Sequence, residues 1–124
     1  MNLVDSSGWL EYFSGGTNAS FFSPAVKEID ALVVPTVCMY EVFKRLLVQR
    51  GEEEALQAVG IMSLGTIADL TQKIVVNAAA ISSELKIPMA DSIILATTHA
   101  YGATLWTQDA DFAGIRSVQY IKKK

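Results

Sequence analysis

Short apolar bursts alternate along this chain with stretches in which apolar residues recur every three or four positions. The bursts are Asn2–Asp5, Ala31–Val34, Gly65–Ala68, Thr104–Thr107 and Ser117–Ile121. Runs of this length, bounded by Pro, Gly or acids, predict buried strands. After the first burst, Trp9, Leu10, Tyr12 and Phe13 predict a helix with Ser6 as its cap. Ser14–Asn18 reads as a loop, and Ala19–Glu28 as a weaker helix whose regularity Pro24 limits. Met39, Val42, Phe43 and Leu46 form an apolar stripe on a longer helix that Thr36 opens and Gly51 breaks. Glu52–Glu54 start the next, where acids suit the positive end of the dipole, with Ala55, Ala58, Val59 and Met62 as its stripe. From Thr71 a helix carries Ile74, Ala78, Ile81 and Leu85. Met89–Tyr101 predicts another helix, closed by Gly102, and Asp109–Phe112 a tight turn.

The order is βααβααβααββ. Strands joined by helical crossovers lie parallel, so the pattern predicts an α/β fold: one domain over residues 1–124, with a central parallel sheet of about five strands and helices on both faces. In such sheets ligands bind outside the carboxyl ends of the strands. The polar residues that follow strands are therefore the ones to weigh.

Composition narrows the chemistry. The chain has 124 residues, 51% hydrophobic and 19% charged, enough for a core and too few charges for disorder. Ten basic against thirteen acidic side chains give a net charge of −3, which argues against a passive basic clamp on nucleic acid. One cysteine, Cys38, and one histidine, His99, exclude an internal disulfide and a Cys- or His-rich zinc site. No apolar run approaches the length of a membrane span, and the first residues lack a basic region, so a cytoplasmic location is expected. A mean hydropathy of +0.31 is high, and predicts both a sheet covered on each face and an apolar surface that meets another subunit.

Asp5 follows the first strand; Asp109 and Asp111 follow the fourth. Glu41 lies in the second turn of the helix after the second strand, on a face with Val37, Lys44, Arg45 and Val48. Asp91 lies in the first turn after Pro88, on a face with Leu95 and Thr98. Four separate segments thus aim acids at one edge of the sheet. Two carboxylates about 5 Å apart repel by roughly 3 kcal/mol at an effective dielectric near 20. A divalent cation offsets this most simply, and oxygen-only donors select the hard ions Mg²⁺ or Mn²⁺. Water activated by such an ion attacks phosphodiesters near neutral pH.

Four segments, Val4-Asp-Ser-Ser7, Glu41-Val-Phe-Lys44, Ala90-Asp-Ser-Ile-Ile-Leu-Ala-Thr97 and Thr107-Gln-Asp-Ala-Asp-Phe112, together resemble the PIN domain, specifically the small VapC-type ribonuclease toxins. The resemblance spans nearly the whole chain and implies a metal-dependent endoribonuclease, the toxin of a toxin–antitoxin pair. It implies that Asp5, Glu41, Asp91 and Asp109 hold the metal. Asp111 corresponds to a fifth, supporting acid, Ser6 to a hydroxyl beside the first Asp, and Thr107 to one before the fourth. It further implies tRNA or other structured RNA as substrate, frequent homodimers, and a cognate antitoxin that plugs the site. The loop Ser14–Ser20 and the segment Lys122–Lys124 look particular to this chain and bear on specificity.

Other residues read more plainly. Asp30 and Asp69 cap or solvate loops, Cys38 is a small buried hydrophobe, and Trp9 and Trp106 belong to core or interface. His99 lies off the line of Asp91 on its helix, so it is structural or exposed. Lys44, Arg45, Lys73, Lys86, Arg116 and Lys122–Lys124 are candidate phosphate contacts. An aspartate-nucleophile phosphatase needs an acid where Ser7 stands. A receiver-like signalling domain needs an acceptor and a partner lysine that Asp69 and Arg116 match poorly. A PIN-like module that only binds would have lost one or more of the acids. The surface around Met39–Met62 is expected to support self-association.

Overall fold

The computed structural model describes residues 1–124. Five strands, β1 (Asn2–Val4), β2 (Leu32–Pro35), β3 (Thr66–Ala68), β4 (Thr104–Thr107) and β5 (Val118–Tyr120), form one sheet in the order β3-β2-β1-β4-β5, and every pairing is parallel. Six helices connect them: α1 (Ser6–Ser14), α2 (Ala19–Lys27), α3 (Thr36–Arg50), α4 (Glu52–Met62), α5 (Gln72–Leu85) and α6 (Met89–Ala100). This is the predicted α/β order. No helix is long and apolar enough to cross a membrane.

The chain moves outward from β1 to β2 and β3, then returns to β4 on the other side of β1. With right-handed crossovers this reversal puts α1–α4 on one face and α5–α6 on the other. The reversal between β1 and β4 is the place where such a sheet opens a crevice at its carboxyl edge. Leu3 sits beside Val33 in β2 and Leu105 in β4, and all three are fully buried. Trp9, Phe22 and Phe112 complete the largest buried side chains around them.

Local details refine the sequence reading. Asp5, not Ser6, caps α1: its backbone is extended and its carboxylate accepts the N–H of Gly8 at 2.9 Å. Ser6 is the first helical residue, and its hydroxyl is free to point elsewhere. Gly8 cannot be larger, because a Cβ there would lie 2.6 Å from the Phe22 ring. Helix α1 ends on Gly15 at φ +65°, and Thr71 caps α5 as its position suggests. On α3 the buried line is Cys38, Val42 and Leu46, with Met39 and Phe43 half-buried beside it. On α5 the stripe fades: Ile74 and Ala78 are buried, Ile81 is half-buried and Leu85 is exposed, because this helix packs chiefly on α6. Helix α2 keeps Pro24 inside it.

Candidate functional site

A cleft of about 400 Å³ opens at the carboxyl ends of β1 and β4, over the topological reversal. Asp5, Ser6, Glu41, Asp91 and Asp109 all line it. The five come from the end of β1, the start of α1, the second turn of α3, the first turn of α6 and the residues after β4.

Asp5 is the floor. It is buried, and three donors fix it: Ser7 Oγ at 2.8 Å and Gly8 N at 2.9 Å on Oδ1, and Thr107 Oγ1 at 2.6 Å on Oδ2. Burial nevertheless pushes its carboxyl up to about 6, with the Asp109 charge adding in the same direction. A carboxylate has about four acceptor positions, so three donors leave one for a ligand. Thr107 does double work, since its Oγ1 also accepts the N–H of Asp109 at 2.9 Å.

Asp91, Asp109 and Asp111 form the tightest group. One carboxylate oxygen from each lies within 4.8 Å of the others. Asp109 Oδ1 accepts the N–H of Asp111 at 2.9 Å, which shapes a short 3-10 turn over Ala110–Phe112. The Asp91 carboxyl is pushed up to about 7, first by burial, then by a hydrogen bond shared with Asp111 and by the charges of Asp109, Asp111 and Asp5. Glu41 stands outside this group, and its Oε1 accepts the Ser6 hydroxyl at 2.7 Å. All donors are oxygens, crowded and without a neutralising cation in contact, since the sole ion pair of the chain is Arg50–Glu54 at 3.5 Å. That donor set suits a hard divalent cation. Asp111 joins Asp91 and Asp109 but is exposed and does not itself line the cleft, in keeping with its supporting place in the sequence pattern.

The remaining candidates divide. Arg45 and Lys123 line the cleft, while Lys73, Lys86 and Arg116 do not. Arg50, which sequence reading passed over, also lines it. Lys44 lies 5.8 Å over the Tyr40 ring in an adjoining hollow. His99 is exposed and away from the cleft. Cys38 is fully buried, and burial above all holds its thiol protonated. Trp9 stacks on Phe13 with ring centroids 5.5 Å apart, and Trp106 Nε1 donates to Asn2 Oδ1 at 3.0 Å, so both are structural. Sequence reading also missed Glu11, Asn18 and Gln108. Buried Gln108 follows Thr107, and its amide donates to Glu11 Oε1 at 3.4 Å and Ser7 O at 3.5 Å. Its place directly before Asp109 was the one hint available.

The family model of the PIN domain matches residues 3–117. The chain belongs to the PIN-domain family. Solved structures agree with that assignment over almost the full length. A toxin–antitoxin complex from Klebsiella pneumoniae is 26% identical, with a TM-score of 0.80 over 96% of this chain and 96% of that one. VapBC2 from Rickettsia felis, bound to a DNA fragment from its promoter, is 16% identical with a TM-score of 0.75, covering 98% of this chain and 97% of that one. VapC20 of Mycobacterium tuberculosis, a toxin that cleaves the sarcin–ricin loop, is 16% identical with a TM-score of 0.74, covering 95% of this chain and 98% of that one. No curated protein matches the sequence of this PIN domain.

Proposed function

We propose that this PIN domain is a divalent-cation-dependent endoribonuclease and the toxin of a toxin–antitoxin pair. The observation that carries the reading is the convergence of Asp91, Asp109 and Asp111 within 4.8 Å, beside buried Asp5, at the reversal point of a parallel sheet. Such an assembly of like charges is unfavourable by itself and favourable around a cation. Asp5, Glu41, Asp91 and Asp109 would hold Mg²⁺ or Mn²⁺ directly or through water, with Asp111 completing the group. When bound, the ion screens phosphate charge and lowers the pKa of water for in-line attack on phosphorus.

The chain's own residues supply position. Thr107 orients Asp5 and, through its second contact, the backbone of Asp109. Ser6 holds Glu41 toward the cleft and so ties α3 to α1. Arg45 and Arg50 on α3 give the entering polyanion a cationic side. No side chain is needed as a covalent nucleophile, because the attacking group would be water activated by the cation. The toxin–antitoxin complex from Klebsiella pneumoniae supports an antitoxin as protein partner, and the resemblance to VapC-type toxins suggests structured RNA, tRNA included, as substrate. A homodimer accords with the apolar side chains that α3 and α4 leave exposed, among them Tyr40, Leu47, Val48 and Ile61. Met39 and Met62 are not part of that surface, because they face the core.

The test is cleavage of total tRNA by purified protein with Mn²⁺ or Mg²⁺, compared with EDTA and with Asp91→Asn. Cleavage that needs the metal and is lost in Asp91→Asn is expected. Equal cleavage by Asp91→Asn, or in EDTA, would overturn the reading.

A further inference from the structure

Lys122–Lys124 would ordinarily be a solvated run of like charges. Here the backbone is held at its first residue, Lys122. The N–H of Ile121 donates to Thr107 O at 3.0 Å, extending the β4–β5 pairing by one residue. The side-chain amide of Asn18, buried to 2% exposure, donates to Lys122 O at 3.1 Å and to Gln108 Oε1 at 3.0 Å. Asn18 is in turn fixed by its own N–H, which donates to Glu11 Oε2 at 2.8 Å, while Gln108 Nε2 reaches the other oxygen of Glu11. The Ser14–Ser20 loop and the lysine run are therefore joined through a buried asparagine.

The result of this anchoring is a placed cation. Lys123 lines the cleft that Asp5, Asp91 and Asp109 share, yet makes no ion pair with any of them. The order of the sheet sets where it stands. Arg45 belongs to α3, which follows β2 on one side of β1 and β4, whereas Lys123 follows β5 on the other. An acidic cleft flanked by cations on both sides suits an extended polyanion laid across it.

We propose that Lys123 is a phosphate contact for RNA adjacent to the scissile bond, and that Asn18 and Gln108 are the positioning residues that hold it there. This rests on the ribonuclease reading of the cleft. The contact works through charge and position alone, so it stabilises bound RNA and the reacting complex about equally. It therefore acts on KM more than on kcat.

The experiment measures binding of a fluorescein-labelled single-stranded RNA of about 12 nucleotides in EDTA, from about 50 to 200 mM KCl, by anisotropy. Each lost phosphate contact on a single strand lowers the slope of log K against log salt by about 0.7, which shrinks the affinity loss over that range about threefold. Lys123→Gln is expected to show this reduced slope, and to raise KM for RNA with kcat little changed when Mn²⁺ is added. Lys73→Gln, on α5 and away from the cleft, should keep the native slope. Asn18→Ala should show part of the Lys123→Gln effect and add nothing in the Lys123→Gln background. An unchanged slope in Lys123→Gln, or an equal drop in Lys73→Gln, overturns the proposal while leaving the ribonuclease reading intact. An Asn18→Ala effect that persists without Lys123 overturns the positioning role. Native protein that neither binds nor cuts RNA overturns the ribonuclease reading, and this proposal with it.

Discussion

The hydroxyl of Thr107 donates to the carboxylate of Asp5 at 2.6 Å, joining residues 102 positions apart across the centre of the sheet. The same oxygen accepts the N–H of Asp109 at 2.9 Å. One side chain at the end of β4 thus sets both the buried acid and the turn that carries the clustered ones. Thr107→Val keeps the shape and removes both contacts. It should lower cation affinity by about 10–100-fold, as loss of a ligand-orienting group commonly does. It should also destabilise the fold by about 1–3 kcal/mol, because the Asp109 N–H and Asp5 Oδ2 lose their partner. Isothermal calorimetry with Mn²⁺ and a denaturant titration check the two effects.

Asp5→Asn should separate stability from activity. The wild-type carboxylate is charged near pH 8 in a buried place that disfavours charge. An amide of the same shape removes that cost, so the variant should melt higher than wild type in EDTA while losing RNA cleavage. Thermal melts at pH 8 and a cleavage assay with Mn²⁺ give the answer. A lower melting temperature would show that the hydrogen bonds of the carboxylate outweigh its desolvation.

The pH dependence of the metal-free protein has a definite sign. The Asp5 carboxyl titrates near 6 when folded, against 3.8 for the ordinary group, so the folded state holds more protons through this window. Its contribution is fully present below about pH 4 and is lost as pH rises through about 6. The loss for Asp5 is on the order of 2–3 kcal/mol. Asp91, raised to about 7, extends the same trend upward, with a smaller effect because water reaches it. Melts in EDTA should therefore be higher at pH 5 than at pH 8, an ordering that Mn²⁺ narrows because it binds the deprotonated acids.

Divalent cations should stabilise the protein outright. At a free concentration one hundred times Kd the gain is about 2.7 kcal/mol, several degrees in melting temperature for a domain of this size. Asp109→Ala should lose this gain and also loosen the turn, because Asp109 Oδ1 holds the Asp111 N–H. Asp111→Asn should lose much of the gain with the turn intact. Differential scanning calorimetry with and without Mn²⁺ distinguishes them.

Self-association should run through α3. Tyr40 and Leu47 are exposed seven residues apart, in line along one side of that helix. Sedimentation at tens of micromolar should give a dimer, and Leu47→Glu should give a folded monomer whose melting temperature no longer rises with protein concentration.

The elements were legible because each burst and each periodic stretch is bounded by residues with one clear effect, such as Gly51 and Pro88. The cleft was legible through a rule of topology: acids after β1 and β4 must meet where the strand order reverses. The capping exchange between Ser6 and Asp5 was not, since both side chains suit the position and the choice depends on Glu41, 35 residues from Ser6, taking the hydroxyl. Nor was the Glu11–Asn18–Gln108 network, whose link from Asn18 to Gln108 spans 90 residues between two uncharged amides. Spacing reveals helix faces, but not which distant polar groups meet behind them. The approach of Asp111 to Asp91 and Asp109 depends on the turn geometry that Asp109 imposes, which residue order alone leaves open.

The position of β4 has a consequence for how the chain comes to life. This strand is central in space, flanked by β1 and β5, yet it enters the sheet after about four-fifths of the residues have been laid down. A polypeptide interrupted before Thr104 retains Asp5, Glu41 and Asp91, but leaves β1 open along one side and lacks both the threonine that orients Asp5 and the two acids beyond it. On the ribonuclease reading proposed above, the complete set of acids would therefore be assembled only in this late step.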